Sequence, residues 1–303
     1  MEIKSSTAIL IVNWESYDYT RSCLLSLSSC LNKDFQIIVV DNGSTDGSGQ
    51  QLFAEFQQSC TFLFSDSNLG FTGGNNHGIK WALERAFDYF LLLNNDTEVN
   101  PDFLDVMLKE FSLNPNVGAV QPMILFMDDP KRIWSAGGKW IPSLGRAITL
   151  GDRIVLSDYV IQKKKLDWAT GCCLMVSREA LEKTGMLNEH YFAYFEDVEW
   201  SLRCVEAGYE IALAEKAMIY HVAGGSSKKA NDEGTLSPRV FYYHVRNQLF
   251  LIRKQVKGAW KIAAFTYHLL RFSLWAFYFT VRLRFKKLKS VLRGIIEGLS
   301  KPI

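Results

Sequence analysis

Four short apolar runs, separated by segments of helical length, organise the first hundred residues of the chain. They occupy residues 8–14, 35–42, 60–66 and 88–96. The runs are continuous rather than alternating in polarity, which is typical of parallel strands covered by helices on both faces. Because strands that alternate with helices indicate βαβ units, the pattern predicts an α/β fold with a mostly parallel central sheet.

Each of these runs ends in polar or glycine-rich sequence. In an open parallel sheet, ligands bind beyond the carboxyl ends of the strands, so the pattern predicts one crevice lined by all four ends. The polar residues at these ends are Asn13, Asp41 to Ser44, Ser65 to Asn68, and Asn94 to Asp96.

The periodicity weakens in the second hundred residues. Glycine, proline and tryptophan are frequent between residues 115 and 165, which predicts loops and short antiparallel strands. Residues 167–185 predict an apolar strand and then a helix that is capped at Ser177 and stops at Gly185. Residues 217–225 predict one more short strand that runs into glycines.

Composition and charge narrow the class of protein. The chain has 303 residues, is 48% hydrophobic, contains six cysteines without a CxxC pair, and lacks a signal-peptide pattern at its start. These features predict a large folded domain in a reducing, cytoplasmic setting. Residues 253–303 hold 12 Lys and Arg and one acidic residue, whereas residues 1–252 carry a net charge of −9. The acidic body argues against a nucleic-acid ligand, and the basic tail predicts a separate anionic partner.

Two polar turns are candidates for nucleotide binding. Asp41 follows a strand, where a carboxylate can accept a hydrogen bond from a base or a ribose; the alternative is a plain turn that caps the next helix. In "SNLGFTGGNNHGI", Gly73 and Gly74 allow a close backbone approach ahead of a helix expected to open near Asn76. A simple loop explains these glycines equally well. The chain contains neither GxGxxG nor the GxxxxGK[ST] of an ATP-binding loop.

A second candidate is a cation site. Asn94, Asn95 and Asp96 follow a buried strand in "FLLLNNDTEV", and carboxylate and amide oxygens suit a hard cation that is also bound to a diphosphate. The alternative is a turn into the next element. His221, at the end of a predicted strand, can complete such a site, although a lone histidine is more often structural.

The third candidate is the acid pair Glu196-Asp197 in "YFEDVEW". At the first turn of a helix, the dipole keeps a carboxylate ionised, which a general base requires. The alternative is a purely structural acid at a helix N-terminus. The surrounding aromatic residues fit either a sugar-binding platform or a core.

Taken in order, these segments resemble the family 2 glycosyltransferases and, within them, the rhamnosyltransferase-like bacterial group. The resemblance covers about residues 7–254 and depends on the ordered set of motifs. It implies a GT-A fold, a nucleotide-sugar donor, a divalent cation (Mg²⁺ or Mn²⁺) and inversion at the anomeric carbon. The motifs are "ILIVNWES", "IIVVDNGSTDGS", "NLGFTGGNNHGI", "YFLLLNNDTEV", "WATGCCLMVSREAL", "MLNEHYFAYFEDVEWSLRCVEAGY", "IYHVAGGSS" and "YYHVRNQLFLIRK".

The resemblance also implies roles for single residues. The family's nucleotide-binding Asp matches Asp41, and its acid pair matches Glu196-Asp197, with Asp197 as the base. The catalytic pair expected here is therefore Asp197 with Glu196. The predicted nucleotide-sugar site comprises Asn13, Asp41, Asn68, Gly73, Gly74, Asn94 and Asn95.

The family's metal motif, which is similar to D-x-D, matches Asn94 to Asp96, and its later metal-binding histidine matches His221. Asp96 and His221 are thus the implied metal ligands. The sequence departs from the family's pattern twice. Asn94 replaces the first Asp, which removes one carboxylate from the cation, and Asn95 stands where close relatives often have Pro.

The tail favours membrane attachment. Residues 258–281 are apolar and aromatic, but Lys261 and Arg271 interrupt them, whereas a spanning helix needs about 20 apolar residues. We expect helices that lie in the membrane interface, with Trp260, Trp275 and Tyr278 at head-group level and "RLRFKKLK" against anionic lipid. A spanning or re-entrant segment and a helix that pairs two copies into a homodimer stay open as alternatives.

Together these features predict a GT-A domain in residues 1–252 and a basic, aromatic, membrane-associated helical tail in residues 253–303. The expected function is transfer of a sugar from dTDP-rhamnose or a UDP-sugar to a lipid-linked saccharide acceptor in surface-polysaccharide biosynthesis. The expected place is the cytoplasmic face of the bacterial inner membrane. A sugar-nucleotide nucleotidyltransferase and a non-catalytic membrane scaffold are the alternatives.

Overall fold

Ten strands form one mixed sheet in the computed structural model, which describes residues 6–161, 165–222 and 233–303. The strands are β1 Thr7–Asn13, β2 Phe35–Asp41, β3 Cys60–Phe64, β4 Tyr89–Leu93, β5 Thr97–Val99, β6 Val117–Phe126, β7 Ile133–Ser135, β8 Gly138–Ile141, β9 Arg146–Thr149, β10 Lys165–Leu166, β11 Cys173–Ser177 and β12 Glu210–His221. Of these, β8 and β9 pair only with each other, as a separate antiparallel hairpin. The α-helices are α1 Tyr17–Ser28, α2 Ser48–Phe56, α3 Gly70–Leu83, α4 Phe103–Leu113, α5 Arg178–Thr184, α6 Glu196–Glu206, α7 Pro238–Gln255, α8 Trp260–Val281 and α9 Phe285–Ser300.

The order of the strands brings the predicted polar ends together. The sheet runs β10-β12-β6-β11-β4-β1-β2-β3, with β4, β1, β2 and β3 parallel to one another and β11 antiparallel to β4 and β6. Asn13 lies opposite Asp41 at the ends of β1 and β2. The short strand β5 pairs with the end of β12, which places Thr97 opposite His221.

Apolar side chains cover both faces of the sheet, as the continuous runs predict. In β1, Ile9 and Ile11 face a core that includes α1 and α4, whereas Ala8 and Leu10 face a core that includes α3, α5 and α6. Successive residues of a strand point to opposite faces, so each apolar run supplies both layers at once. The structure therefore confirms the predicted α/β architecture.

The region from 115 to 165 was only partly predicted. The short antiparallel strands β7, β8 and β9 are present, but the expectation of loops is wrong for β6, a fully buried strand of ten residues. Pro122 interrupts this strand in the sequence and would argue against a central position. The structure tolerates it because the pairing of β6 with β12 is irregular between Ala214 and Met218, next to the Pro122 pair. The strand expected at 217–225 is also longer, since β12 begins at Glu210, and residues 223–225 lie outside the described part.

The C-terminal helices pack on α7 and do not form a detached tail. Helix α7 crosses the predicted boundary at residue 252, and Val245, Leu249 and Ile252 share a core with Phe272 of α8 and Val291 of α9. Helix α9 approaches α7 closely through two glycines: a Cβ at Gly294 or Gly298 would lie 2.9 Å from the Tyr242 carbonyl oxygen or 2.8 Å from Leu249 Cδ1. None of the helices in the described ranges combines the length and the apolar content needed to cross a membrane.

Candidate active site

A cavity of about 620 Å³ opens at the carboxyl ends of β1, β4 and β12. Its floor is polar and includes Asn42, Asn68, the segment Asn94 to Asp96, and His221. Its lining also has an aromatic wall, which includes Phe192, Tyr194, Phe195, Tyr243 and His244. The acid pair Glu196-Asp197 lies in the lining with both surfaces. The predicted crevice therefore exists, and it has two walls of different chemistry.

Asp96 and His221 meet at the floor of this cavity. His221 Nε2 lies 3.2 Å from Asp96 Oδ1, and both residues are buried. Among the described residues, Asp96 Oδ1 has no hydrogen-bond partner apart from this contact, and the other ring nitrogen, His221 Nδ1, has none, although buried polar atoms normally do. The facing atoms Asp96 Oδ1 and His221 Nε2 fit a divalent cation, because an oxygen and an imidazole nitrogen at this separation could both contact one ion.

The protein part of this cation site is small. Among the described residues, no group of three or more His, Cys, Asp or Glu side chains is placed to hold a metal ion. The ring of Trp134 contacts His221 edge-on, with centroids 4.4 Å apart, and restricts the orientation of the imidazole. Most of a cation's coordination shell would therefore have to come from water and a bound ligand.

Asn94 and Asn95 flank this pair and line the cavity. The Asn94 N–H donates to the Cys172 carbonyl at 2.8 Å, which ties the end of β4 to the segment before β11. Asn95 Nδ2 donates to the Thr20 hydroxyl at 2.8 Å. Both amides therefore stand where the sequence predicted them, at the end of a buried strand and beside Asp96.

Asp41 and Asn13 form a buried network beside the cavity. Asn13 Nδ2 donates to Asp41 Oδ1 at 2.8 Å, and the Ser44 hydroxyl donates to the same oxygen at 2.6 Å. Helix α2 covers the carboxyl group, since a Cβ at Gly49 would lie 2.4 Å from it. Asp41 is 3% exposed and neither it nor Asn13 lines the cavity. The contact of these two residues with a nucleotide stays a prediction.

The second glycine-rich turn also differs from its expected form. Helix α3 begins at Gly70, earlier than the expected start near Asn76, so Gly73 and Gly74 lie inside the helix. A Cβ at Gly74 would lie 2.9 Å from the side chain of Val12, so this glycine allows α3 to pack closely on β1. Asn68 precedes the helix and lines the cavity, and its Oδ1 accepts a hydrogen bond from the Gly70 N–H.

The two acids at the start of α6 differ in environment. Asp197 accepts hydrogen bonds from the N–H groups of Gly171 at 2.9 Å and Val198 at 2.8 Å. Burial raises the pKa of Asp197, and these donors oppose that rise because they stabilise the charged form. Burial and then the charge of Asp197 raise the pKa of Glu196 well above its usual range, and Glu196 Oε2 has no hydrogen-bond partner among the described residues. The pair thus combines a carboxylate held by two N–H donors with an acid whose protonated form is favoured by burial.

For the aromatic residues before the acid pair, the sequence left a sugar-binding platform and a core open, and it indicated no role for Tyr243 or His244. Phe192 stacks on Tyr243 with centroids 5.1 Å apart, and the Arg239 guanidinium lies 4.8 Å from the Phe192 ring centre. Tyr194 stacks on His244, whose pKa burial lowers to about 4, so that this imidazole is neutral at neutral pH. Tyr243 and His244 belong to the motif "YYHVRNQ", but its mixture of aromatic and polar residues does not reveal which side chains face a cavity.

Curated relatives align with most of this chain. One is the N-acetylglucosaminyl-diphospho-decaprenol L-rhamnosyltransferase of Mycobacterium tuberculosis, which is 25% identical over 276 residues, covering 84% of this chain and 86% of that protein. Another is the dTDP-rhamnosyl transferase RfbF of Shigella flexneri, which is 26% identical over 72% of this chain and 71% of that protein.

Solved structures share the fold at low sequence identity. The structure of GalNAc-T7 with UDP, GalNAc and Mn²⁺ matches with a TM-score of 0.63 and 13% sequence identity. The match covers 81% of this chain but only about half (48%) of the GalNAc-T7 chain. The mannosyltransferase PcManGT from Pyrobaculum calidifontis, in complex with GDP-Man and Mn²⁺, gives 0.56 at 14% identity over 98% of this chain and 88% of that one. Both likenesses confirm the predicted GT-A class of fold.

The sequence profile described as "Glycosyl transferase family 2" matches residues 8–185, which is more than half of the 303 residues. The match covers the sheet from β1 to β11 and the polar floor of the cavity up to Asp96. The resemblance found in the sequence is thereby confirmed, and the chain belongs to glycosyl transferase family 2.

Proposed function

We propose that this glycosyltransferase transfers a sugar, with inversion, from dTDP-rhamnose or a UDP-sugar to a lipid-linked saccharide acceptor. One observation carries the proposal: Asp197, held by two backbone N–H groups, lines the same cavity as the contacting pair Asp96 and His221. The names of the two rhamnosyltransferase relatives support the donor and, for the mycobacterial protein, a polyprenyl-linked acceptor. The product would serve the synthesis of a surface polysaccharide.

The proposed mechanism assigns one step to each side chain. Asp197 accepts the proton of the attacking acceptor hydroxyl, and attack on the face opposite the leaving diphosphate inverts the anomeric carbon in one displacement. Burial favours the protonated form of Glu196, and in that form its carboxyl group can donate a hydrogen bond to a sugar hydroxyl without adding negative charge beside the base. Asp96 and His221 would hold Mg²⁺ or Mn²⁺, which supplies neutralisation of the negative charge on the leaving group.

A thermal-shift screen tests this function. With Mn²⁺ present, dTDP or UDP at a hundred times its Kd should stabilise the fold by about 2.7 kcal/mol, a rise in Tm of several degrees. Without Mn²⁺ the shift should be much smaller, because the proposed cation would link the diphosphate to Asp96 and His221. Each nucleotide that shifts Tm is then supplied as its sugar derivative, and transfer or hydrolysis is measured.

The outcomes separate the alternatives. No shift with any nucleoside diphosphate would favour a non-catalytic scaffold that keeps the fold. Formation of a nucleotide-sugar from a nucleoside triphosphate and a sugar phosphate would favour a nucleotidyltransferase. Either result would overturn the proposal.

We also propose that α8 and α9 lie in the interface of an anionic membrane, at the cytoplasmic face. Leu270, Leu274, Phe277 and Val281 repeat at helical spacing on α8 and are 63% to 69% exposed. Exposed Arg282 and Lys289 follow this stripe. An exposed apolar stripe beside basic residues is typical of a helix that lies in a membrane interface.

Other residues of the tail are less accessible than the sequence suggested. Trp260 and Tyr278 are exposed as predicted, but Trp275 packs on Phe241 with ring centroids 5.6 Å apart. In "RLRFKKLK", Lys287 is buried, and its Nζ donates to the Glu233 carbonyl at 2.6 Å. The proposed membrane surface is therefore narrower than the sequence alone implied.

Vesicle sedimentation tests the membrane surface. The full-length protein should bind phosphatidylcholine vesicles that contain phosphatidylglycerol, and Leu274→Glu should weaken binding by at least tenfold, because it removes an inserted side chain and adds a negative charge. Leu113→Glu is the matched control, since Leu113 on α4 is 67% exposed and Leu274 is 69% exposed. Equal binding by the two variants, or no binding by the wild type at moderate salt, would contradict the proposal. A wild-type dimer without lipid that Leu274→Glu dissociates would favour the dimerisation alternative.

A further inference from the structure

The loop before the acid pair has an unusual backbone. Phe192, Tyr194 and Phe195 have φ values of 64°, 73° and 69°, although none is a glycine. Bulky residues in this region carry strain of the order of 1–3 kcal/mol each and keep it only where the surroundings hold them. Helix α6 begins at Glu196, directly after the loop, so the conformation of the loop sets the position of Asp197.

A single buried amide on α7 binds this loop. Asn247 is 0% exposed, and its Nδ2 donates to the carbonyl oxygens of Tyr191 at 2.9 Å, Ala193 at 2.7 Å and Tyr194 at 2.8 Å. The two N–H bonds of the amide are thus shared among three carbonyls. These carbonyls belong to or directly precede the strained residues, so the hydrogen bonds act at the positions where the backbone would otherwise relax.

Arg246 orients that amide. Arg246 Nε donates to Asn247 Oδ1 at 2.8 Å, which turns the NH₂ group of the amide toward the loop. Its Nη2 donates to the carbonyl oxygens of His190 and Tyr191, both at 2.8 Å. Because Arg246 is itself 8% exposed, the bonds are made away from bulk water and are not replaced easily by solvent.

We propose that Asn247, oriented by Arg246, is a positioning residue for sugar transfer: it holds the strained loop and so places Asp197 in the cavity. The inference rests on the proposed function, in which Asp197 is the base. It assigns no contact between Asn247 and a substrate, and Asn247 does not line the cavity. A general base must lie within hydrogen-bond reach of the proton it accepts, so a displaced loop would reduce the rate of transfer more than the binding of the nucleotide.

The adjacent residue offers a control for a merely structural role. Gln248 is 2% exposed, and its Nε2 donates to the Gly145 carbonyl at 2.8 Å. Gly145 ends the short turn between β8 and β9 and is not part of the cavity lining. Asn247→Asp and Gln248→Glu therefore make the same change, from amide to carboxylate, at neighbouring buried sites that differ in which loop they bind.

We expect Asn247→Asp to lower kcat by about 100-fold, with the Kd for dTDP or UDP in Mn²⁺ changed by less than about threefold. Gln248→Glu should lower Tm but leave kcat within about threefold of the wild type, because its partner lies outside the site. Hydrogen–deuterium exchange of the amides in 191–195 should accelerate in Asn247→Asp and not in Gln248→Glu. Arg246→Lys keeps the charge but loses the hydrogen bond to the amide oxygen, and it should lower kcat by about tenfold. This variant tests the positioning role if Asn247→Asp does not fold.

Distinct results overturn the two proposals. An active wild type with equal losses of kcat in Asn247→Asp and Gln248→Glu, or with unchanged exchange of 191–195 in Asn247→Asp, would contradict the positioning role. A wild-type kcat in Arg246→Lys would also contradict the positioning role. A wild type that binds dTDP or UDP but turns over no sugar derivative would instead contradict the proposed function, while the exchange measurement still reports whether Asn247 holds the loop.

Discussion

Asp197→Asn should reduce sugar transfer by a factor of about 10²–10⁴ and leave nucleotide binding intact. The amide has nearly the same volume as the carboxylate but cannot accept the proton of the acceptor hydroxyl. Asp197 lies beside the polar floor and is held by the N–H groups of Gly171 and Val198, so its loss should not rebuild the nucleotide site. Single-turnover transfer, together with the Kd for dTDP or UDP in Mn²⁺, measures both effects.

Glu196→Gln is the matched control for this prediction. Burial and the charge of Asp197 raise the pKa of Glu196, which favours its protonated form, and glutamine is likewise neutral and able to donate a hydrogen bond, so it should change transfer by less than about tenfold. A larger loss in Glu196→Gln than in Asp197→Asn would reverse the assigned roles. Undiminished transfer by Asp197→Asn would show that Asp197 is not the general base.

The same assignment has a pH signature. Burial raises the pKa of Asp197, and a base must be ionised, so kcat should fall as the pH drops through a value above the usual Asp pKa of about 3.9. Asp197→Asn should lose this acid limb together with most of the rate.

Asp96→Ala should lower transfer by a factor of about 10²–10³ and abolish Mn²⁺ binding that depends on a nucleotide. Asp96 supplies the only carboxylate of the described pair, because Asn94 stands where the family's pattern has its first Asp. Calorimetric titration of Mn²⁺ in the presence of dTDP or UDP measures the binding without reference to activity.

Asp96→Asn provides a graded comparison because it keeps a neutral oxygen ligand. Its rate of transfer and its affinity for Mn²⁺ should lie between those of the wild type and Asp96→Ala. The wild type should bind Mn²⁺ weakly when no nucleotide is present, because Asp96 and His221 would supply only two ligands where four to six are usual. Tight binding of Mn²⁺ to the free protein would contradict this account of the site.

The sequence predicts the parts of the fold that depend on local pattern. Continuous apolar runs predict β1, β2, β3 and β4, and the polar residues that follow them predict the crevice, because strand direction alone brings those ends to one edge. Asp96 and His221 come together for a different reason, which the pattern did not predict: β5, which follows Asp96, pairs antiparallel with the end of β12.

Other features depend on tertiary contacts that the pattern does not encode. Asp41 is polar and follows a strand, yet it forms hydrogen bonds inward to Asn13 and Ser44. The sequence does not predict that Arg246, Asn247 and Gln248 of α7 enter the core, because arginine, asparagine and glutamine side chains are mostly exposed. All three are buried, since the partners that satisfy them are backbone carbonyls of distant loops.

The positive φ angles of Tyr194 and Phe195 lower the stability of the fold but belong to a loop that the proposed activity requires. Glycine at either position would relieve backbone strain, since glycine occupies this region without a steric penalty. It would also remove an aromatic ring from the cavity wall and loosen the segment that leads into Glu196. Directed evolution that selects only for a higher melting temperature should therefore accumulate glycine in this loop and yield a more robust but slower enzyme.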